Sequence, residues 1–223
     1  MVTNRQRRTS TTRHETATWR VFAAVPVSDG VRALMGDIQD ALIPRGWRVK
    51  WVRPELAHLT LKFYGNIETE RLPELSERLA RVAASGRPLR MRTTTVGAFP
   101  SASQPRVLWL GLAGDVEPLA ALATQVEDAS VGYGKPENRP FAPHVTLARL
   151  RDGAATPADF ATAASGLHLA PVSFAIDRLR LIRSVLGPGG PAYTPIGEWR
   201  LRSTPEIDSH AYRLMLTSPN PDD

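Results

Sequence analysis

The nine-residue pattern Arg-Pro-x-x-x-His-x-Thr-Leu occurs twice in this chain, at residues 53–61 and 139–147. Both copies read as strands, in which alternate side chains share a face. His58 and Thr60 then lie on one face with Leu59 and Leu61 on the other, and His144 and Thr146 stand likewise against Val145 and Leu147. The aliphatic faces belong in a core. A duplicated strand with the same polar face predicts two equivalent half-sites on two similar lobes, facing one another.

The rest of the chain supplies the frame. Residues 19–26 read as a strand, after which Ser28 caps a helix whose Val31, Leu34, Met35, Ile38 and Leu42 share a face. Residues 47–52 and 57–64 read as strands joined at Pro54, and a second helix from about residue 69 carries Leu72, Leu75, Leu79 and Val82 at helical spacing. An antiparallel pair is expected over 89–96 and 106–112, then a helix over 116–129 and the second histidine strand over 142–150. Thr156-Pro157 has the form of a cap followed by proline at the first helical position. Strands over 172–184 and 193–202 close the chain, with the Gly/Pro run 187–191 as a hairpin connection. The order predicts an α+β, bilobal fold: two pseudo-twofold-related, mainly antiparallel sheets backed by helices, with the site in the cleft between them. No linker marks a lobe boundary, so residues 19–204 are expected to form a single domain. Residues 1–18 read as a disordered basic extension and 205–223 as a C-terminal tail.

Composition narrows the function classes. The chain has 42% hydrophobic and 22% charged residues and no cysteine, which excludes disulfides, a thiolate nucleophile and a cysteine-ligated zinc site. No apolar run approaches the roughly 20 residues that cross a bilayer, and residues 1–18 lack the hydrophobic segment of a secretory signal. Their Arg/Thr-rich, acid-poor character would also suit an organelle transit peptide. The expectation is a cytoplasmic monomer without membrane contact. The formal net charge is +6, and because the basic first segment and the acidic last one offset each other, the folded body carries it. That favours a polyanionic partner such as nucleic acid or a phosphate ester. Lys50, Lys62 and Lys135 are the only lysines, a preference for arginine that genomic base composition explains equally well.

On one strand alone, a His-x-Thr face reads more readily as structural than as functional. Two matching faces change that, because a neutral imidazole can deprotonate water or a hydroxyl while a protonated one donates to a leaving oxygen. Two threonine hydroxyls can donate to phosphoryl oxygens as charge builds. Paired histidines also suggest a metal, but only Glu55 lies close to either motif, and neither a metal nor a cofactor is expected. No nucleophile-elbow sequence is present. Arg149 follows the second motif, yet strict alternation points it away from His144, so it could serve the site only through a bulge, a twist or the strand's end. Lys62 falls on the His58 side by period, or is simply solvated. His14 lies in the basic extension, His168 and His210 lack the threonine partner, and all three read as structural or solvated. Trp47, Trp51 and Trp109 read as core or sheet-surface packing.

With these residues in view, the chain resembles the two-histidine phosphoesterase superfamily, specifically the RNA 2′,3′-cyclic phosphodiesterases also called 2′-5′ RNA ligases. The resemblance runs through Val21-Phe22-Ala23-Ala24, His58 to Phe63, Gly97-Ala98-Phe99-Pro100, Arg106 to Gly111, Asn138 to Arg149 and Tyr193-Thr194-Pro195. It implies metal-free hydrolysis of RNA or nucleoside 2′,3′-cyclic phosphates to 2′-phosphates, with reversible 2′-5′ joining in some members. It implies His58 as proton donor, His144 as proton acceptor, Thr60, Thr146 and Arg149 as phosphate-binding residues, and Phe22 as a nucleobase-stacking surface, where a core phenylalanine is the other reading. The expected partners are RNA ends or nucleoside 2′,3′-cyclic phosphates. The alternative is a module that binds RNA ends or nucleotide phosphates without significant turnover.

Overall fold

A computed structural model describes residues 16–151, 154 and 157–202. The expected tails lie almost wholly outside the described residues, as do Thr156, His14 and His210. The elements run β1 (Thr18–Pro26), α1 (Asp29–Leu42), β2 (Val49–Trp51), β3 (His58–Glu68), α2 (Leu72–Ser85), β4 (Leu89–Pro100), β5 (Pro105–Gly114), α3 (Val116–Ala129), β6 (His144–Leu150), α4 (Phe160–Ser165), β7 (Ser173–Ile176), β8 (Arg178–Gly187) and β9 (Gly190–Arg200). A four-stranded sheet has the order β3-β1-β8-β9 and a five-stranded sheet the order β2-β6-β5-β4-β7. Every strand pairing is antiparallel. The histidine strands β3 and β6 belong to different sheets and lie side by side, which gives the bilobal α+β architecture its cleft.

Helix faces follow the sequence pattern. Ser28 Oγ accepts the Val31 amide at 3.3 Å, capping α1, which buries Val31, Leu34, Met35, Ile38 and Leu42. In α2 the buried stripe is Leu72, Leu75, Leu79, Val82 and Ala83, and residues 69–71 precede it as a 3-10 turn. Each fully buried leucine of this set contributes about 2 kcal/mol of transfer free energy. The two faces of β1 divide the lobe: Val21, Ala23 and Val25 enter the main core, while Phe22 and Ala24 join Ile182 in a small separate cluster on the cleft side.

The strand expected over 172–184 and the start of the fourth helix are corrected. Residues 172–184 are not one strand but β7 and β8, which belong to different sheets. Asp177 stands at the crossing, where its carboxylate accepts from Arg178 at 2.8 and 3.0 Å and its carbonyl accepts the Leu201 amide at 2.8 Å. The two lobes draw on both halves of the chain. β2 pairs with β6, and the C-terminal β8 pairs with β1, so the lobes exchange strands. The short helix expected at Thr156-Pro157 begins later, after Asp159, whose carboxylate accepts the Trp47 indole N–H at 2.8 Å. The 187–191 run is the β8–β9 hairpin connection.

Candidate functional site

Local backbone geometry sets both imidazoles the same way. His58 Nδ1 lies 2.8 Å from the Leu56 carbonyl oxygen, and His144 Nδ1 lies 2.7 Å from that of Ala142. A carbonyl only accepts, so each Nδ1 carries the proton and each Nε2 is left with its lone pair. His168 makes the same contact to Gly166 at 3.1 Å, but it is exposed and has no threonine two residues on. The contact is therefore a local habit of histidine, and the pairing of two such strands is what distinguishes His58 and His144.

A β-bulge occurs at the same place in both copies of the repeat. Along β1 and β3 the register passes from Ala24↔Thr60 to Ala23↔Lys62, leaving Leu61 as the extra residue. Along β5 and β6 it passes from Trp109↔Thr146 to Leu108↔Ala148, leaving Leu147. A bulge exchanges the two faces beyond it. Leu147 and Ala148 are consecutively buried, and Arg149 returns to the face of His144 and Thr146, where alternation alone had pointed it away. In β3 the same switch buries Lys62 and exposes Phe63. Lys62 is thus neither on the His58 face nor solvated: its Nζ meets Glu127 Oε1 at 2.5 Å behind the sheet.

Arg149 is the one expected site residue that senses both lobes. Burial is the main force pushing the His58 pKa below the ordinary imidazole value, opposed by the Leu56 carbonyl contact and reinforced by the positive charge of Arg149. His144 is lowered by the same causes in the same order, with Ala142 as the carbonyl. Both rings are therefore neutral at pH 7. In an NMR titration their midpoints are expected below 6.5, and Arg149→Ala should raise both. Midpoints that stay put in that variant would show that the guanidinium does not face the rings.

Aromatic rings hold the imidazoles in place. Phe22 is fully buried, with its centroid 4.8 Å from His58, 5.3 Å from Phe63 and 5.2 Å from Tyr193. The stacking role expected for Phe22 does not fit that placement, because the ring presents no face to the cleft; it forms the floor beneath His58. Phe63, 48% exposed, is the aromatic surface that β3 offers instead. Tyr193 meets His58 edge-on at 5.3 Å, and Phe99 meets His144 edge-on at 5.0 Å. Neither Tyr193 nor Phe99 was singled out as a site residue by spacing; both lie in the short segments that accompany the repeat, and only strand pairing brings them to the rings. Trp109, opposite Thr146, spreads its ring over Gly97, where a Cβ would lie 2.2 Å from it. Thr60 and Thr146 are half-buried beside their histidines. Among the described residues no three His, Cys, Asp or Glu side chains converge as a metal site, and no helix is long and apolar enough to cross a membrane.

Known proteins resemble this chain in sequence and fold. A model of the 2′-5′ RNA ligase superfamily matches residues 27–188. A Thermus thermophilus protein named RNA 2′,3′-cyclic phosphodiesterase is 35% identical over 201 residues, covering 82% of this chain and 90% of its own. One of the same name from Methanothermobacter thermautotrophicus is 31% identical over 183 residues, covering 82% and 98%. The crystal structure of E. coli LigT complexed with 3′-AMP superposes with a TM-score of 0.67 at 26% identity, over 84% of this chain and 100% of LigT. With a family match over most of its length and the duplicated histidine strands at its centre, the chain belongs to the 2′-5′ RNA ligase superfamily.

Proposed function

We propose that this protein is an RNA 2′,3′-cyclic phosphodiesterase that hydrolyses 2′,3′-cyclic phosphate ends to 2′-phosphates by metal-free acid-base catalysis. The observation that carries the reading is the pair of matched Nδ1–H imidazoles on the adjacent strands β3 and β6. Water attacks phosphorus, His144 takes its proton, the bond to the 3′ oxygen breaks, and His58 delivers a proton to that oxygen. Thr60, Thr146 and Arg149 hold the phosphoryl oxygens as negative charge gathers on them. The phosphate's own charge counters Arg149 and raises both imidazoles, which lets one of them carry the proton that neither holds in the free protein at pH 7. Relatives named for this reaction, and a neighbour that binds 3′-AMP, support the substrate class. With a 5′-hydroxyl in place of water, the same transfer yields a 2′-5′ linkage.

The test is a product analysis in excess chelator, using nucleoside and oligonucleotide 2′,3′-cyclic phosphates with and without a 5′-hydroxyl acceptor. Accumulation of the 2′-phosphate, unchanged by chelator, is expected. A 3′-phosphate product, or loss of turnover in chelator, overturns the mechanism. Salt-sensitive binding without turnover would mark the protein as an RNA-end binding module.

A further inference from the structure

Beyond Arg149 the cleft face continues onto an edge of the five-stranded sheet that the chemistry above does not use. Lys50 on β2 is the register partner of Arg149 on β6, and the Arg151 amide donates to the Arg48 carbonyl at 3.0 Å, one step further along the same ladder. Directly opposed residues of an antiparallel pair share a side of the sheet. Val49 is buried, Trp51 and Leu150 pack on the main core, and Ala148 is fully buried, so these fill the inner side. Lys50, Arg149 and Arg151 therefore occupy the outer side, and all three are exposed. Arg48, between the core-packed Trp47 and Val49, is exposed beside them.

Among the described residues none of these four cations has a carboxylate partner. Elsewhere arginines are tied down: Arg178 and Arg180 to Glu198, and Arg139 of the repeat to Glu137. The cleft is also one-sided, because the residue of β3 that matches Arg149 is the apolar Phe63. A ridge of unpaired cations, running from the phosphate-facing arginine out to an exposed edge, has the chemistry of a sequence-independent backbone contact.

We propose that Arg48, Lys50 and Arg151 form a subsite for the backbone phosphates of the single-stranded RNA leading into the cyclic end, so that the preferred substrate is an oligonucleotide. This rests on the reading of the cleft as acting on RNA ends. A nucleoside 2′,3′-cyclic phosphate does not reach the ridge and so reports on the chemistry and on folding alone.

The experiment compares a hexanucleotide ending in a 2′,3′-cyclic phosphate with the nucleoside form, in the unaltered protein and in Arg48→Gln/Lys50→Gln/Arg151→Gln. In the unaltered protein kcat/KM for the hexanucleotide is expected to exceed that for the nucleoside by about ten-fold or more at low salt. That advantage should fall with salt at a log–log slope of about −2, as three contacts to a single strand require. In the variant the advantage and its salt dependence vanish, while nucleoside turnover stays within about two-fold. Equal kcat/KM for the two substrates in the unaltered protein, or an advantage that survives in the variant, overturns the subsite. Anisotropy of a labelled hexanucleotide 2′-phosphate separates the two readings. Should neither substrate turn over while the ridge variant alone loses salt-sensitive binding, the subsite stands and the catalytic reading falls. Equal binding by both proteins removes the subsite whatever the turnover.

Discussion

Alanine in place of either His58 or His144 is expected to lower kcat on a nucleoside 2′,3′-cyclic phosphate by roughly a thousand-fold, within the range of one positioned general acid or base. The two losses should not add. Once one proton-transfer partner is gone the other has no concerted step to complete, so the double variant is expected to fall no more than about ten-fold below either single one. Thr60→Val and Thr146→Val should each lose about a hundred-fold, the size of one donor removed from a developing anion. His168→Ala is the control, since its ring makes the same carbonyl contact as the site histidines but stands elsewhere. Full activity in either His58→Ala or His144→Ala would sink the acid-base reading, and loss in His168→Ala would show that the backbone contact, not the paired site, is what matters. The pH dependence carries a sign. Both free-protein imidazoles are held low, so the optimum of kcat/KM lies below 6.5, and that of kcat lies higher because bound phosphate raises both rings.

The second large effect concerns stability behind the His58 strand. Lys62 is nearly enclosed, with its side chain 3% exposed, and Glu127 of α3 is its carboxylate partner. Glu127→Ala strands a buried cation and is expected to cost about 3 kcal/mol, the lower end of the range for breaking a buried pair, since Glu127 itself is partly open to solvent. For a domain of this size that is a fall of roughly 10 °C in Tm. Lys62→Met removes the charge and keeps the volume, so it should lie within about 1 kcal/mol of the unaltered protein. Urea denaturation of the two variants decides the matter. Equal losses in both would mean that packing of the lysine stem, and not the pairing of charge, holds α3 to β3.

Lys62 also shows where reading by period stops. The repeat, the amphipathic faces of α1 and α2 and the hairpin at 187–191 are local patterns, since neighbouring residues alone decide which side of a strand or helix is apolar. They sufficed for an α+β fold with two histidine strands. The bulges at Leu61 and Leu147 are not local in that sense, because an extra residue is defined only against a partner strand, here β1 in one lobe and β5 in the other. Past each bulge alternation gives the opposite answer, which is why period puts Lys62 on the His58 face and Arg149 away from His144, and both are reversed.

Phe22 was open between a stacking surface and core for a related reason. Its strand position puts it on the cleft side, but only the rings of His58, Phe63 and Tyr193, delivered by two other strands, cover it. The division of residues 172–184 between two sheets is likewise invisible in a run of alternating apolar residues, because its cause is long-range: the crossing at Asp177 is secured by Leu201.

What the amino-acid order determined by itself is the chemistry present, namely two His-x-Thr faces on strands with aliphatic backs, because that follows from a two-residue period and side-chain polarity alone. What only the tertiary structure decided is how those faces are furnished: Arg149 turned in, Lys62 turned away, Phe22 sealed under His58, and a cationic edge led out from the cleft. Each of these depends on which strand lies alongside, and strand pairing is a contact between residues distant in sequence that no local pattern encodes.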